Sequence, residues 1–260
     1  MNLLFWALFP LLLPQALHVR KNAPRFAPAD GPSVGSIGNG KRTRLVAIGD
    51  SIIAGVGATT LSKALVGQTA AALSSSCGGC VQWQALGVSG YNSEKILTKL
   101  VPKLPDTAVD IIILSVGVND VTGLTTLRQW RQNLKLLLAR LQAHSPSAIV
   151  AVAGLPPLHG FPLLPQPLRA VFGIRSRSFD DELREIVEGL PNGLYVPLDF
   201  DPHPSQFAPD GYHPSEASYT EYGLKVAEAL IEFTKRRDAS SQAVVNLDSD
   251  WRVGGRDACR

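Results

Sequence analysis

Between Thr43 and Lys235 short apolar runs alternate with helical patterns, and this alternation constrains the fold of the 260-residue chain more than any other feature. TRLVAIG (43–49), VQWQALG (81–87), VDIIILSVG (109–117), AIVAVAGLP (148–156) and LYVPLDF (194–200) read as strands rich in β-branched residues. Helical spacing covers about 61–75, a segment opening at Asn92 or Ser93 with Glu94 in its first turn, 124–144, 177–189 and 215–235. In the third of these, Leu124, Leu127, Leu134, Leu137, Leu138 and Leu141 recur at helical intervals. Strands joined through helices run parallel with right-handed crossovers, and a sheet made this way carries helices on both faces. The expected architecture is α/β, three layers (α/β/α) around a five-stranded parallel sheet. With 45 per cent hydrophobic residues the chain can bury one large core, and residues 43–235 are expected to form one domain.

The ends of the chain differ from this body. Residues 1–19 hold no Asp, Glu, Lys or Arg and are nearly all apolar from 3 to 13. They read as an N-terminal anchor or signal-like segment through which the protein meets a membrane. Arg20, Lys21 and Arg25 follow the run, which favours a body on the cytoplasmic face. Export is the alternative, with Ala27-Pro28-Ala29 as the only small-x-small site, and docking of the segment on the body is a third reading. Residues 20–42 lack periodicity and read as a linker, and 236–260 as a flexible tail. Six of the 25 basic residues but only one of the 22 acidic residues lie in 1–44; the remaining 19 and 21 give the rest a net charge of −2. That balance argues against nucleic acid as a partner. Three cysteines are too few for a disulfide-built scaffold.

In a parallel α/β sheet the functional loops gather at the carboxyl ends of the strands. Here those ends carry Gly49-Asp50-Ser51, Gly87-Val88-Ser89-Gly90, Gly117-Val118-Asn119-Asp120 and, after the fifth strand, Asp210-Gly211-Tyr212-His213. Hydroxyl, amide, acid and base therefore converge from four strands on one rim. A serine hydroxyl becomes nucleophilic when a base takes its proton, and the base needs an acid to orient it; Ser51, His213 and Asp210 supply the three roles.

Four blocks in this order, GDSIIAG, GVSGYNS, GVND and DGYHP, resemble those of the SGNH hydrolases, the GDSL-type lipase and esterase superfamily. The resemblance covers about 43–235, with Ile52 where the family name has leucine. It implies the flavodoxin-like SGNH hydrolase fold and a carboxylic ester hydrolase of the esterase, lipase or lysophospholipase kind, working through an acyl-enzyme. It implies Ser51, Asp210 and His213 as the catalytic residues, an oxyanion hole from the backbone N–H groups of Ser51 and Gly90 and the side-chain amide of Asn119, and no metal or other cofactor. The same triad would serve an acyltransferase, and a non-catalytic membrane-tethered interaction module is the reading from a different class.

Simpler structural roles compete at each position. Ser51 and Asn119 are also good helix caps, Gly90 a turn glycine, and Asp120 is read as structural. His203, in DPHP, competes with His213, which is preferred for its Asp-x-x-His-Pro spacing. GSIGNGKRT (35–43) departs from a phosphate-binding loop at Arg42 and leads into a strand, and Cys77 and Cys80 sit before a strand instead of after one; neither carries a function here. The proline-rich, apolar stretch 154–173 should emerge on the catalytic rim. Phe161 and Leu163 are its candidates for the wall of an acyl site for a lipid-like or short-to-medium acyl ester.

Overall fold

The computed structural model describes residues 2–24, 26–198 and 203–254, with side chains throughout except at 2–4, 6–8 and 240–254. Strand β1 is Val34–Ile37, β2 Arg42–Gly49, β3 Cys80–Gly87, β4 Ile111–Ser115, β5 Ile149–Ala153 and β6 Gly193–Val196. They form one sheet in the order β1-β3-β2-β4-β5-β6. The five strands from β2 onward are parallel, whereas β1 pairs antiparallel with β3, Val34 opposite Gln84 through Ile37 opposite Val81. The sheet thus has six strands instead of the expected five. The extra strand comes from the segment expected as linker, where VGSI is too short and too glycine- and serine-rich to announce a strand, and pairing with the edge of β3 supplies what its own sequence lacks.

Alternation along the central strands builds two cores. Val46, Ile48, Ile112, Leu114, Val150 and Val152 face one layer, and Leu45, Ala47, Ile113, Ala151 and Ala153 the other. Helices α2 (Leu65–Cys77) and α7 (Glu216–Gly254) pack over the second face. Over the first lie the short α3 (Ser93–Lys95), α4 (Val118–Thr122), α5 (Leu127–His144), α6 (Leu168–Glu188) and α1 (Asn2–Asn22).

Three further boundaries differ from the sequence reading. The helix expected from 124 begins as α5 only at Leu127, because Leu124 adopts a left-handed backbone (φ 63°) and Thr126 then caps α5, while the separate short α4 precedes it. Helix α6 opens at Leu168, inside the proline-rich stretch, directly after Pro167, its last proline. The segment from 236, expected as a tail, continues α7 to Gly254, since neither Gly nor Pro occurs between Gly223 and Gly254 to stop the helix. Residues 255–260 of that tail, and residues 199 and 200 of the expected fifth strand, lie outside the described residues.

Of the segment 1–19, expected as an anchor, residues 2–19 form most of α1, which lies against the body. Phe5, Phe9 and Leu12 are buried in the first core, Phe5 stacks on Phe172 with ring centroids 6.5 Å apart, and Gln15 bonds the backbone at Gln166 and Leu168. Pro10 and Pro14 are both exposed, on the side of α1 away from the core. Leu11, Leu13 and Leu17 remain exposed. Among the described residues no helix is long and apolar enough to cross a membrane.

Candidate active site

The register of the sheet places the carboxyl ends of three strands at one level. Gly49 lies opposite Gly87 on one side and Ser115 on the other, so the segments beginning at Asp50, Val88 and Val116 leave the sheet side by side. Glycine at 87 permits this closeness: a Cβ there would stand 2.1 Å from the Ala54 nitrogen. Val88 N–H donates to Gly49 O (3.1 Å) and Asp50 N–H to Ser115 O (3.3 Å), which ties the three exits together.

Ser51 opens a run of turns, not a helix, so its side chain caps nothing; α2 begins only at Leu65. It is 8 % exposed and lines a cleft with Asp50, Ile52, Ser115, Val116, Phe161, Tyr212 and His213 among others. His213 is held from behind. Its Nδ1 lies 2.6 Å from Asp210 Oδ2, while Asp210 Oδ1 accepts the backbone N–H of Tyr212 (2.9 Å) and His213 (3.0 Å). A carboxylate only accepts, so Nδ1 carries the proton and Nε2 is left as the basic nitrogen. Burial pushes the Asp210 carboxyl up, but the bonds from His213 and Tyr212 outweigh it and hold the group below its ordinary range. No hydrogen bond joins Ser51 to His213 in this structure; they share the cleft. His203 is exposed, and its Nδ1 accepts the Ser205 N–H at a turn of 3-10 helix. His213, and not His203, thus shares the cleft with Ser51.

Gly90 lies in the loop after β3 and Asn119 in α4, and neither is part of the cleft lining. Asn119 is in the first turn of α4, and its Nδ2 donates one hydrogen to Tyr91 O (2.9 Å). Gly90 has φ +81° with open space around a would-be Cβ, so it is the backbone conformation that calls for glycine. The backbone N–H groups of Ser51 and Gly90 donate to no acceptor among the described residues. Next to Asn119, the buried Asp120 accepts both the N–H (2.8 Å) and the hydroxyl (2.6 Å) of Ser93, so it locks the Gly90 loop to α4.

Of the two expected wall residues the structure brings one to the cleft. Phe161 is buried there, edge-on to Phe207 and Tyr212 with ring centroids 5.2 Å away in each case. Leu163 does not line the cleft; its N–H donates to Gly211 O (3.1 Å), so it braces the loop that carries Asp210 and His213. Residues that sequence reasoning missed complete the walls. Ser218, Tyr222 and Lys225 form a stripe along one face of α7, a spacing visible in the sequence, and Phe207 and Tyr212 add aromatic surface. Asp50 is buried, and burial pushes its carboxyl up to about 6; the bonds from the Ile52 N–H and the Ser115 hydroxyl, and more weakly the nearby His213, offset part of this. Nothing in the sequence distinguishes it from an ordinary turn aspartate. The side chains of Cys77 and Cys80 are free thiols away from this rim.

A three-layer α/β/α sheet with serine, histidine and aspartate on loops at its carboxyl edge defines a class, the SGNH-type hydrolases. Residues 47–220 match the model of the GDSL-like lipase/acylhydrolase family, and the chain belongs to that family, whose chemistry is ester hydrolysis. Solved structures share the fold at low identity. A family 3 carbohydrate esterase of Clostridium thermocellum aligns with a TM-score of 0.57 at 19% identity over 75% of this chain and 96% of its own. A lipase from a goat rumen metagenome gives 0.57 at 18% over 72% and 97%, and a psychrotrophic esterase of Pseudoalteromonas sp. 0.55 at 18% over 75% and 97%. Comparison with curated protein sequences finds no match.

Proposed function

We propose that the protein is a serine esterase that cleaves lipid-like or short-to-medium acyl esters through an acyl-enzyme. The observation that carries this reading is the cleft itself: Ser51 and the Asp210-bonded His213 open into a space walled by Ile52, Val116, Phe161, Phe207 and Tyr212. In the proposed reaction His213 Nε2 takes the Ser51 proton as Oγ attacks the ester carbonyl. The carbonyl oxygen gains the negative charge and is met by the uncommitted N–H groups of Ser51 and Gly90 and by the second amide hydrogen of Asn119. Collapse expels the alcohol, which leaves with the proton from His213. Water, deprotonated by His213, then attacks the acyl-serine, and Ser51 recovers its proton as the acid departs.

The test is a series of p-nitrophenyl esters of increasing acyl length with the intact chain, Ser51→Ala, His213→Ala and His203→Ala, together with labelling by a fluorophosphonate. The Ser51 and His213 variants should lose at least about a thousandfold in kcat, Ser51→Ala should take no label, and His203→Ala should turn over normally. Labelling that survives at Ser51→Ala, or His203→Ala as the inactive variant, overturns the assignment.

A further inference from the structure

Arg175, on α6, is 3 % exposed and lies far along the chain from every block of the site. Its Nε–H donates to Val121 O (3.0 Å) and its Nη2–H to Thr125 O. These carbonyls belong to the end of α4 and the loop that follows it, and α4 is the element that carries Asn119 and Asp120. The guanidinium is also sandwiched between two rings, with Cζ 4.5 Å from the Phe5 centroid of α1 and 4.6 Å from that of Phe179. Burial lowers its pKa to about 10, so it stays charged at neutral pH at a desolvation cost. A methionine would fill the space between the rings without that cost. What a guanidinium adds is two directed donors in a rigid plane, one for each carbonyl.

The other end of α4 is held by Asn119 to Tyr91 and by Asp120 to Ser93. Arg175 therefore supplies the fixed point opposite, and Phe5 closes over it. We propose that Arg175 is a positioning residue for ester hydrolysis, aiming Asn119 at the oxyanion by pinning the far end of α4, and that α1 belongs to the catalytic unit because Phe5 keeps Arg175 in place. This rests on the reading of Asn119 as an oxyanion donor.

A double-mutant cycle tests it with the full chain. kcat and KM for p-nitrophenyl butyrate are measured for wild type, Arg175→Met, Arg175→Lys and Phe5→Ala, each in the native and the Asn119→Ala background, with near-ultraviolet circular dichroism recording the fold. The expectation for Arg175→Met is kcat lower by about tenfold to a hundredfold, part of the loss that a missing oxyanion donor brings, with KM changed less than about twofold. Arg175→Lys should recover part of the rate, and Phe5→Ala should show a smaller loss of the same kind. In the Asn119→Ala background all three should cost little more, because the group they position is gone. Losses that multiply in both backgrounds, a change confined to KM, or a folded Arg175→Met of full activity overturn the proposal. If Arg175→Met does not fold, Phe5→Ala decides by the same criterion. An inactive wild type, or an Asn119→Ala variant as active as wild type, overturns instead the reading on which the proposal rests.

Discussion

Asp50 shows how one side chain in the floor of the cleft sets a pH dependence for the whole molecule. Its carboxyl is raised from 3.8 to about 6, mainly by burial. A group raised on folding stabilises the native state below its unfolded value, and that contribution is lost as the pH rises through the folded value. Wild type should therefore lose stability relative to Asp50→Asn between about pH 4 and 6, by up to about 3 kcal/mol, read from urea midpoints at each pH. A difference that does not change with pH would remove Asp50 as the titrating group. Phe161 and Leu163 stand two residues apart yet have separate jobs. Each buried methylene is worth about 0.8 kcal/mol, or about fourfold in selectivity. Phe161→Ala should accordingly flatten the acyl-length profile of the p-nitrophenyl series, and Leu163→Ala should leave it unchanged. The reverse pattern would place the acyl chain elsewhere.

At the scale of the element, α5 owes its first residue to capping, not to its leucine pattern. The periodicity extends back to Leu124, but the left-handed turn there ends α4, and the chain re-enters a helix only where Thr126 and Gln129 satisfy each other's N–H groups. Thr126 Oγ1 accepts the Gln129 N–H at 3.2 Å, and Gln129 Oε1 accepts the Thr126 N–H at 3.1 Å. Thr126→Ala removes the first bond and should destabilise the protein by about 1 kcal/mol in urea unfolding, with catalysis unaffected. A loss below a few tenths would show that tertiary packing of Trp130, Leu134 and Leu137 fixes the helix start without the cap.

Across the whole molecule, the N-terminal helix is part of the first core. Phe9 is 8 % exposed and stacks on Phe5 at 5.3 Å between centroids. Phe9→Ala should cost about 3 kcal/mol, the low end for burying a large aromatic, and lower the thermal midpoint accordingly. An unchanged midpoint would mean that α1 leaves the body in solution and that its apolar side serves another surface.

The sequence by itself determined the layered α/β class and the rim on which the site lies, because both follow from local periodicity: apolar runs that end in glycine, helices between them, and four short blocks at the strand ends. Ser51 and the Asp210–His213 pair could be proposed for the same reason, each being a short local motif, Ser51 directly after a strand and Asp210–His213 in the loop before α7. Only the tertiary structure decided the sixth strand, since VGSI becomes a strand by pairing with β3. It alone separated Phe161 from Leu163, whose surroundings are set by the Gly211 loop and not by their neighbours in the chain. The same holds for α1. An apolar segment carries no record of what will cover it, and whether it met lipid or Phe172 and Arg175 depended on contacts more than 150 residues away, which no local pattern encodes.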